Sequence, residues 1–280
     1  MTNKVQMIVS DLDGTLLNSR GSLTKNTIDA LIKIQKTGVK LVLCTGRPFY
    51  SCKDITNSLK LKEYQGAFIG LNGQYLYDYK INKSFEEKML NYDQLKEIYK
   101  IAINSGAYSM EFYQDGKIFV LFNNKHFLSF IISILYSLRS LIHQSKKYKV
   151  KFIKKIPENI QAPKVCFLGK NTDLSKIINQ ISKKKELCSY LVNPNWLEIL
   201  NDGISKGNTL SKLSNLCNIP LENAIAFGDG ENDITMLSVV GKSFAMKNAM
   251  NSVKDKASEV IGSNSNDSVA EKCLEILKLK

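Results

Sequence analysis

The chain has 280 residues, of which 44% are hydrophobic and 23% charged, a balance that excludes a disordered, collagenous or fibrous protein. Its length favours about two domains, each with enough apolar residues for a core. The net charge of +13 raises the question of nucleic acid, but only three residues are arginines, the type best suited to bidentate phosphate and base contacts, so we expect no nucleic-acid partner.

The first third of the chain alternates short apolar runs with helical patterns. Thr24 is a suitable N-cap for the first helix, and Gly38 is a suitable stop. Alternating strands and helices with short connections favour a parallel sheet with helices on both faces. The predicted elements are strands at 5–10, 39–44 and 67–70, a helix between Thr24 and Gly38, a helix at 53–59 and a hairpin at 74–85.

The middle of the chain, residues 83–202, has a different order of elements and predicts a separate α+β unit. It carries a net charge of +8, and its most apolar window, at 127–138, is too short to cross a membrane. The predicted elements are helices at 93–103, 127–142 and 174–181, and strands at 109–112, 117–122, 149–153, 164–168, 189–193 and 196–201.

After Gly203 the alternation of strands and helices returns. We predict helices at 206–216, 231–239 and 268–279, and strands at 224–227 and 243–246. The first and last thirds therefore form one α/β domain, made of residues 1–82 and 203–280. Residues 83–202 are inserted into it as a cap domain.

Location and redox state are predicted from the N-terminus and the cysteines. The chain runs directly into its first strand without the basic and apolar regions of a secretory signal. The six cysteines are scattered singly, without the spacing of a zinc site, which favours free thiols in a reducing compartment. We therefore expect a cytoplasmic protein with no membrane partner.

Four short motifs occupy equivalent places in the predicted core. Residues 11–16 (DLDGTL), 45–47 (TGR) and 228–233 (GDGEND) each follow a strand, and Lys206 begins a helix. Ligands of an open parallel sheet bind beyond the carboxyl ends of its strands. Each motif alone is also typical of a turn or a solvated helix start. Their joint order favours a site.

The chemistry of that site follows from its carboxylates. Four of them repel one another unless a hard divalent cation such as Mg²⁺ binds between them. A lysine, a hydroxyl and backbone N–H groups supply donors for a phosphoryl group, while one carboxylate can act as nucleophile and another as acid and base. The groups are the carboxylates of Asp11, Asp13, Asp229 and Asp233, with Lys206 and Thr45 as donors.

The four motifs resemble those of the haloacid dehalogenase superfamily, in particular its Cof-type, subclass IIB phosphatases. Residues 8–17, 44–48, 203–207 and 227–237 carry the resemblance, which spans nearly the whole chain. It implies a Rossmann-like core with an inserted α/β cap. It also implies Mg²⁺-dependent hydrolysis of small phosphorylated metabolites, such as sugar phosphates, flavin mononucleotide or pyridoxal phosphate, through an aspartyl-phosphate.

The resemblance also implies a role for individual residues. It makes Asp11 the nucleophile and a metal ligand, and Asp13 the acid and base with its backbone carbonyl on the metal. Lys206 steadies nucleophile and phosphate. It further implies that the phosphate is bound by the amides of Leu12, Thr45 and Gly46 and by the Thr45 hydroxyl. On the same grounds Asp229 is expected to be a metal ligand and Asp233 a direct or indirect metal partner. Asn232 is expected to contact the phosphate or the substrate. Asn72-Gly73 matches an Asn–Gly pair near the family's site, and Arg47 is left open between a structural role and a substrate contact.

Two other functions are compatible with the same motifs. One is a phosphosugar mutase like the phosphomannomutases, which transfers the phosphoryl group to a sugar instead of water. The other is a non-catalytic binding or regulatory protein, against which the full set of catalytic residue types argues. The sequence leaves the substrate and the oligomeric state open.

Overall fold

The structure is a computed structural model that describes residues 5–114, 117–123, 131, 134–135 and 149–279. It divides into two compact units, Met1–Glu86 with Ser205–Lys280, and Glu87–Ile204. The predicted domain junctions, at 82/83 and 202/203, lie close to these division points. The first junction lies later in the structure because residues 83–86 form a strand of the first unit's sheet.

The described secondary structure follows the predicted order. The strands are β1 (Met7–Ser10), β2 (Lys40–Cys44), β3 (Ala67–Gly70), β4 (Tyr75–Asp78), β5 (Lys83–Glu86), β6 (Ser109–Gln114), β7 (Lys117–Phe122), β8 (Lys149–Phe152), β9 (Val165–Leu168), β10 (Leu187–Asn193), β11 (Trp196–Asn201), β12 (Ala224–Gly228), β13 (Lys242–Ala245) and β14 (Glu259–Val260). The α-helices are α1 (Lys25–Lys36), α2 (Lys53–Ser58), α3 (Tyr92–Ser105), α4 (Asn171–Ile181), α5 (Lys206–Cys217), α6 (Ile234–Leu237), α7 (Asn251–Lys254) and α8 (Ser268–Leu277).

Two predicted helices have a different outcome. The helix expected at 231–239 is a 3-10 turn, Glu231–Asp233, followed by the short α6, because the Asp233 side chain accepts hydrogen bonds from the loop before it. The helix expected at 127–142 lies outside the described residues, except at 131, 134 and 135, which are helical.

The first unit is built on an eight-stranded sheet in the order β14-β13-β12-β1-β2-β3-β4-β5. The strands from β14 to β3 are parallel, and β4 and β5 form an antiparallel hairpin at the edge. Strand β1 is central: Met7 pairs with Ala224 on one side and with Lys40 on the other. Strands β1, β2 and β12 are buried along their whole length, as expected for parallel strands covered by crossover helices.

The helices of the first unit cover the sheet through apolar side chains. Helix α1 begins after Thr24, whose hydroxyl oxygen accepts a hydrogen bond from the Thr27 amide at 3.0 Å, and it buries Leu31 and Ile34. Helix α1 packs on α8, and α5 packs on α6. These contacts belong to one continuous hydrophobic core that includes the strands on which the motifs stand.

The second unit has a six-stranded sheet in the order β10-β11-β9-β6-β7-β8. All its neighbouring strands are antiparallel except β7 and β8. One face is apolar and shares a core with α3 and α4. On the other face Glu111, Cys166 and Glu198 stand in register across three strands, and the Lys164 Nζ lies 2.6 Å from the Glu198 carboxylate.

The α-helices within the described residues have at most 14 residues. None of them combines the length and the apolar character that crossing a membrane requires.

Candidate active site

Three of the four motifs meet at one edge of the first unit's sheet. Strands β12, β1 and β2 are parallel neighbours, so the segments that follow Gly228, Ser10 and Cys44 leave the sheet on the same side. The Asp11 amide donates to the Phe227 carbonyl at 3.1 Å, which keeps the first two segments together. The sheet therefore places residues more than 200 positions apart in the chain side by side.

Three carboxylates are gathered at this edge. Oxygens of Asp11, Asp229 and Asp233 all lie within 4.8 Å of one another. Burial raises the pKa of Asp11 well above its usual range; Lys206 lowers that pKa, and Asp233 and Asp229 raise it further. Burial, followed by repulsion from Asp233, raises the pKa of Asp229 to about 7. A cation between them would offset the repulsion that adds to the effect of burial on both pKa values.

Lys206 supplies one positive charge to this cluster. Its side chain is 0% exposed, and its Nζ lies 2.7 Å from Asp11 Oδ1 and 2.6 Å from Asp233 Oδ1. Burial alone would lower the pKa of the Lys206 ammonium, but Asp11 and Asp233 raise it above its usual range. The lysine stands on the first turn of α5, directly after Ser205, whose hydroxyl oxygen caps that helix. One ammonium beside three carboxylates leaves a net negative charge, which a divalent cation would neutralise.

Two residues of the first motif lie directly against the Asp229 side chain. Thr15 donates from its hydroxyl to Asp229 Oδ1 at 2.6 Å. Gly14 has a φ of +79°, and a Cβ at this position would stand 2.2 Å from Asp229 Oδ2. Only glycine therefore permits this approach. Neither Thr15 nor Gly14 was predicted to be a site residue, although both lie inside the first motif.

Asp233 is held within its own loop. Its Oδ2 accepts hydrogen bonds from the Asp229 amide at 2.8 Å and from the Gly230 amide at 3.0 Å, while its Oδ1 binds Lys206. A Cβ on Gly228 would lie 2.5 Å from the Asp233 Cβ, so that glycine permits the tight turn. The Asp233 carboxylate thus fixes the loop that presents Asp229.

Asp13 corrects the expectation of four clustered carboxylates. Its side chain is 57% exposed and lies outside the three-carboxylate cluster. The Arg47 guanidinium binds both Asp13 oxygens: Nε donates to Oδ2 at 2.6 Å, and a terminal nitrogen donates to Oδ1. Arg47, which the sequence left undecided, therefore contacts the second aspartate of the first motif. The proposed metal contact of the Asp13 backbone carbonyl stays a prediction.

The predicted phosphate donors differ in their availability. The Thr45 amide donates to the Ile69 carbonyl at 2.8 Å, so the expectation that it binds phosphate is wrong: β3 uses this amide. The Thr45 hydroxyl oxygen accepts from the Arg47 amide at 3.1 Å, which leaves its hydrogen to donate. Within the described residues the Leu12 amide donates to no acceptor, as a phosphate ligand requires. The role of Gly46 stays a prediction.

Asn232 lies at the same edge, beside a residue of another loop. Its Nδ2 donates to Asn72 Oδ1 at 3.0 Å, and both residues are buried. Asn72 follows β3, the strand next to β2. These two asparagines, which belong to separate motifs in the sequence, are thus direct hydrogen-bond partners.

Comparison with known proteins identifies the family of this chain and its fold. The family described as haloacid dehalogenase-like hydrolase matches residues 8–272. YxeH of Bacillus subtilis is 31% identical over 277 residues, covering 98% of this chain and 99% of that protein. The 5-amino-6-(5-phospho-D-ribitylamino)uracil phosphatase YcsE of the same organism is 27% identical over 270 residues, covering 95% and 93%. The structure of the subclass IIB sugar phosphatase BT4131 superposes with a TM-score of 0.80 at 19% identity, covering 98% and 100% of the two chains, and confirms the fold class.

Proposed function

Since this chain belongs to the haloacid dehalogenase-like hydrolase family and is a phosphatase, we propose that it hydrolyses small phosphorylated metabolites with Mg²⁺ through an aspartyl-phosphate on Asp11. The observation that carries the proposal is the buried cluster of three carboxylates bridged by one buried lysine. The test is hydrolysis of a panel of phosphate monoesters with Mg²⁺. Release of inorganic phosphate supports a phosphatase, and transfer of the phosphoryl group to a hexose would instead indicate a mutase.

The donor set fits a hard divalent cation. Asp11, Asp229 and Asp233 offer oxygen ligands only, and one neighbouring ammonium does not neutralise them. When bound, Mg²⁺ would neutralise charge on the phosphoryl oxygens and on the carboxylates. Asp11 and Asp229 are its main proposed ligands, and Asp233 is proposed to contact it directly or indirectly. The backbone carbonyl of Asp13 is the remaining proposed protein ligand.

We assign the attack on phosphorus to the carboxylate of Asp11. Lys206 Nζ binds its Oδ1 at 2.7 Å, which orients the carboxylate and leaves Oδ2 to form the new bond to phosphorus. The Leu12 amide and the Thr45 hydroxyl are the proposed donors to the phosphoryl oxygens, and Lys206 helps to balance their charge. Forming the aspartyl-phosphate breaks the bond to the leaving oxygen, which then needs a proton.

Asp13 is the proposed source of that proton. Two residues after Asp11, it can reach the opposite side of the phosphoryl group, and afterwards it takes a proton from the water that hydrolyses the aspartyl-phosphate. Because the Arg47 guanidinium binds both Asp13 oxygens, the carboxylate must leave Arg47 before it can carry a proton to the leaving oxygen. Between turnovers Arg47 then serves to position the Asp13 side chain.

Removal of the metal is expected to abolish activity. Without a divalent cation the three carboxylates repel one another and the anionic substrate. Protein stripped with a chelator and dialysed should hydrolyse p-nitrophenyl phosphate at less than roughly one hundredth of the original rate, and added Mg²⁺ should restore the rate. Full turnover in the stripped protein, checked by metal analysis, would contradict the magnesium proposal.

Substrate choice is the proposed role of the inserted unit. The motif residues address the metal and the phosphoryl group, which every phosphate monoester shares, so they cannot distinguish leaving groups. The candidates are small cytoplasmic metabolites: sugar phosphates, phosphorylated cofactors and the ribitylaminouracil phosphate for which YcsE is named. The excess of positive charge in residues 83–202 would attract such anions.

Replacing residues 87–204 by a short Gly/Ser linker tests this role. We expect the remaining core to hydrolyse p-nitrophenyl phosphate weakly and to lose its preference among natural metabolites, since a lid supplies contacts to the leaving group and excludes water. Cooperative urea unfolding of the shortened protein is the control for folding. An unchanged ranking of substrates in the folded core would assign selectivity to the core instead.

A further inference from the structure

The turn after β3 has an unusual backbone. Leu71, Asn72 and Gly73 follow one another with φ values of 54°, 59° and 102°. Glycine adopts positive φ freely and asparagine tolerates it, but for leucine this conformation costs roughly 1–2 kcal/mol. Such a turn persists only where surrounding contacts impose it, and strained segments of this kind cluster at functional sites.

Backbone contacts tie this turn to two of the segments that form the active site. The Leu71 amide donates to the Arg47 carbonyl and the Asn72 amide to the Thr45 carbonyl, both at 3.1 Å. On the other side, the Gly73 carbonyl accepts from the Thr209 hydroxyl of α5 at 2.7 Å. The turn therefore joins the second motif to the helix that begins with Lys206.

The side chain of Asn72 adds the fourth motif to these contacts. It is 0% exposed, and its Oδ1 accepts from Asn232 Nδ2 at 3.0 Å. The opposite end of the Asn232 amide faces Gly230, where a Cβ would lie 2.7 Å from Asn232 Oδ1. Because an oxygen of Asn72 faces Asn232, the hydrogen bond favours the orientation of the Asn232 amide that turns its nitrogen toward Asn72. Asn232 shares a single 3-10 turn with Asp233, so the contact also anchors that turn.

We propose that Asn72 is a positioning residue for catalysis, which acts through Asn232 and not by touching the substrate. It fixes the orientation of the Asn232 amide and holds the turn that carries Asp233 against the segment of Thr45. The strained backbone at Leu71 is the cost of bringing this side chain between the two loops. The inference rests on the proposed phosphatase function.

A double-mutant cycle with Asn72→Gly and Asn232→Ala tests the proposal. Glycine keeps the left-handed backbone and removes only the side chain. We expect kcat/KM for p-nitrophenyl phosphate to fall about ten- to a hundredfold in each single variant. The kcat/KM of the double variant should lie within about threefold of that of the less active single variant. The positioning role would be overturned if the loss of kcat/KM in the double variant equals the product of the two single losses. It would also be overturned if the kcat/KM of Asn72→Gly lies within twofold of wild type.

Asn218→Gly is the matched control. Asn218 also has a positive φ, 53°, but it is exposed and follows the far end of α5. Its replacement by glycine should leave kcat/KM within about twofold of wild type. If Asn72→Gly fails to unfold cooperatively in urea, Asn72→Asp replaces it, because aspartate tolerates the same backbone and still accepts from Asn232. Activity of Asn72→Asp above that of Asn232→Ala supports the proposal, and equal or lower activity overturns it.

The activity of the wild-type protein distinguishes failure of the proposed phosphatase function from failure of the positioning role of Asn72. If the wild type releases no phosphate from any ester with Mg²⁺, the proposed function fails, and there is no activity on which to measure the double-mutant cycle. If the wild type is active and the Asn72 and Asn232 variants behave independently, only the positioning role fails.

Discussion

Replacing Asp11 by asparagine is expected to abolish turnover while the protein stays folded. The amide has the shape of the carboxylate, and its oxygen can still accept from Lys206, but it cannot form the bond to phosphorus. We expect kcat to fall by a factor on the order of 10⁴ or more. Because burial and two neighbouring carboxylates disfavour the charge of Asp11, its removal should leave the free energy of unfolding unchanged or higher.

The measurement is phosphate release from p-nitrophenyl phosphate together with urea unfolding. Asp29→Asn, the same change on the exposed face of α1, is the control and should retain wild-type activity. Turnover of Asp11→Asn within tenfold of wild type would remove Asp11 as the nucleophile.

Replacing Lys206 by glutamine is expected to damage both catalysis and stability. The buried ammonium binds Asp11 and Asp233, and its loss leaves buried carboxylates without a counter-charge. Breaking a buried ion pair in this way typically costs about 3 kcal/mol of unfolding free energy, and loss of one stabilising charge at a phosphoryl group typically lowers kcat by about 10²–10³-fold. Bound Mg²⁺ should offset part of the lost stability, since it supplies positive charge to the same cluster.

Urea unfolding of Lys206→Gln with chelator and with Mg²⁺ measures both effects. Lys212→Gln, an exposed position on the same helix, is the control and should change neither stability nor rate appreciably. A variant as stable as wild type in chelator would show that Lys206 does not compensate the carboxylates.

The fold was largely predictable because its signals are local. Apolar runs such as β1 and β2, and the cap and stop of α1, depend on residues close together in the chain. The elements that were missed are short. Strand β14 has two residues and α7 has four, so neither contains a full period of a hydrophobic pattern.

The candidate site was predictable in its composition but not in its contacts. Parallel strands bring the ends of β1, β2 and β12 to one edge whatever the side chains are, so the carboxylates and Lys206 could be grouped from the motifs alone. The pairing of Asp13 with Arg47, which removes one carboxylate from the cluster, joins residues 34 positions apart. No periodic pattern in the sequence indicates that these two residues form a pair.

By itself, the sequence determined the order of the elements, the α/β class and the motif residues that the sheet collects. Only the tertiary structure decided which partner each polar group takes. The Thr45 amide binds β3, and Asn72 meets Asn232 from 160 positions away. The physical reason is that a hydrogen bond requires two atoms within about 3 Å, and such distances between remote residues are set by packing of the whole core.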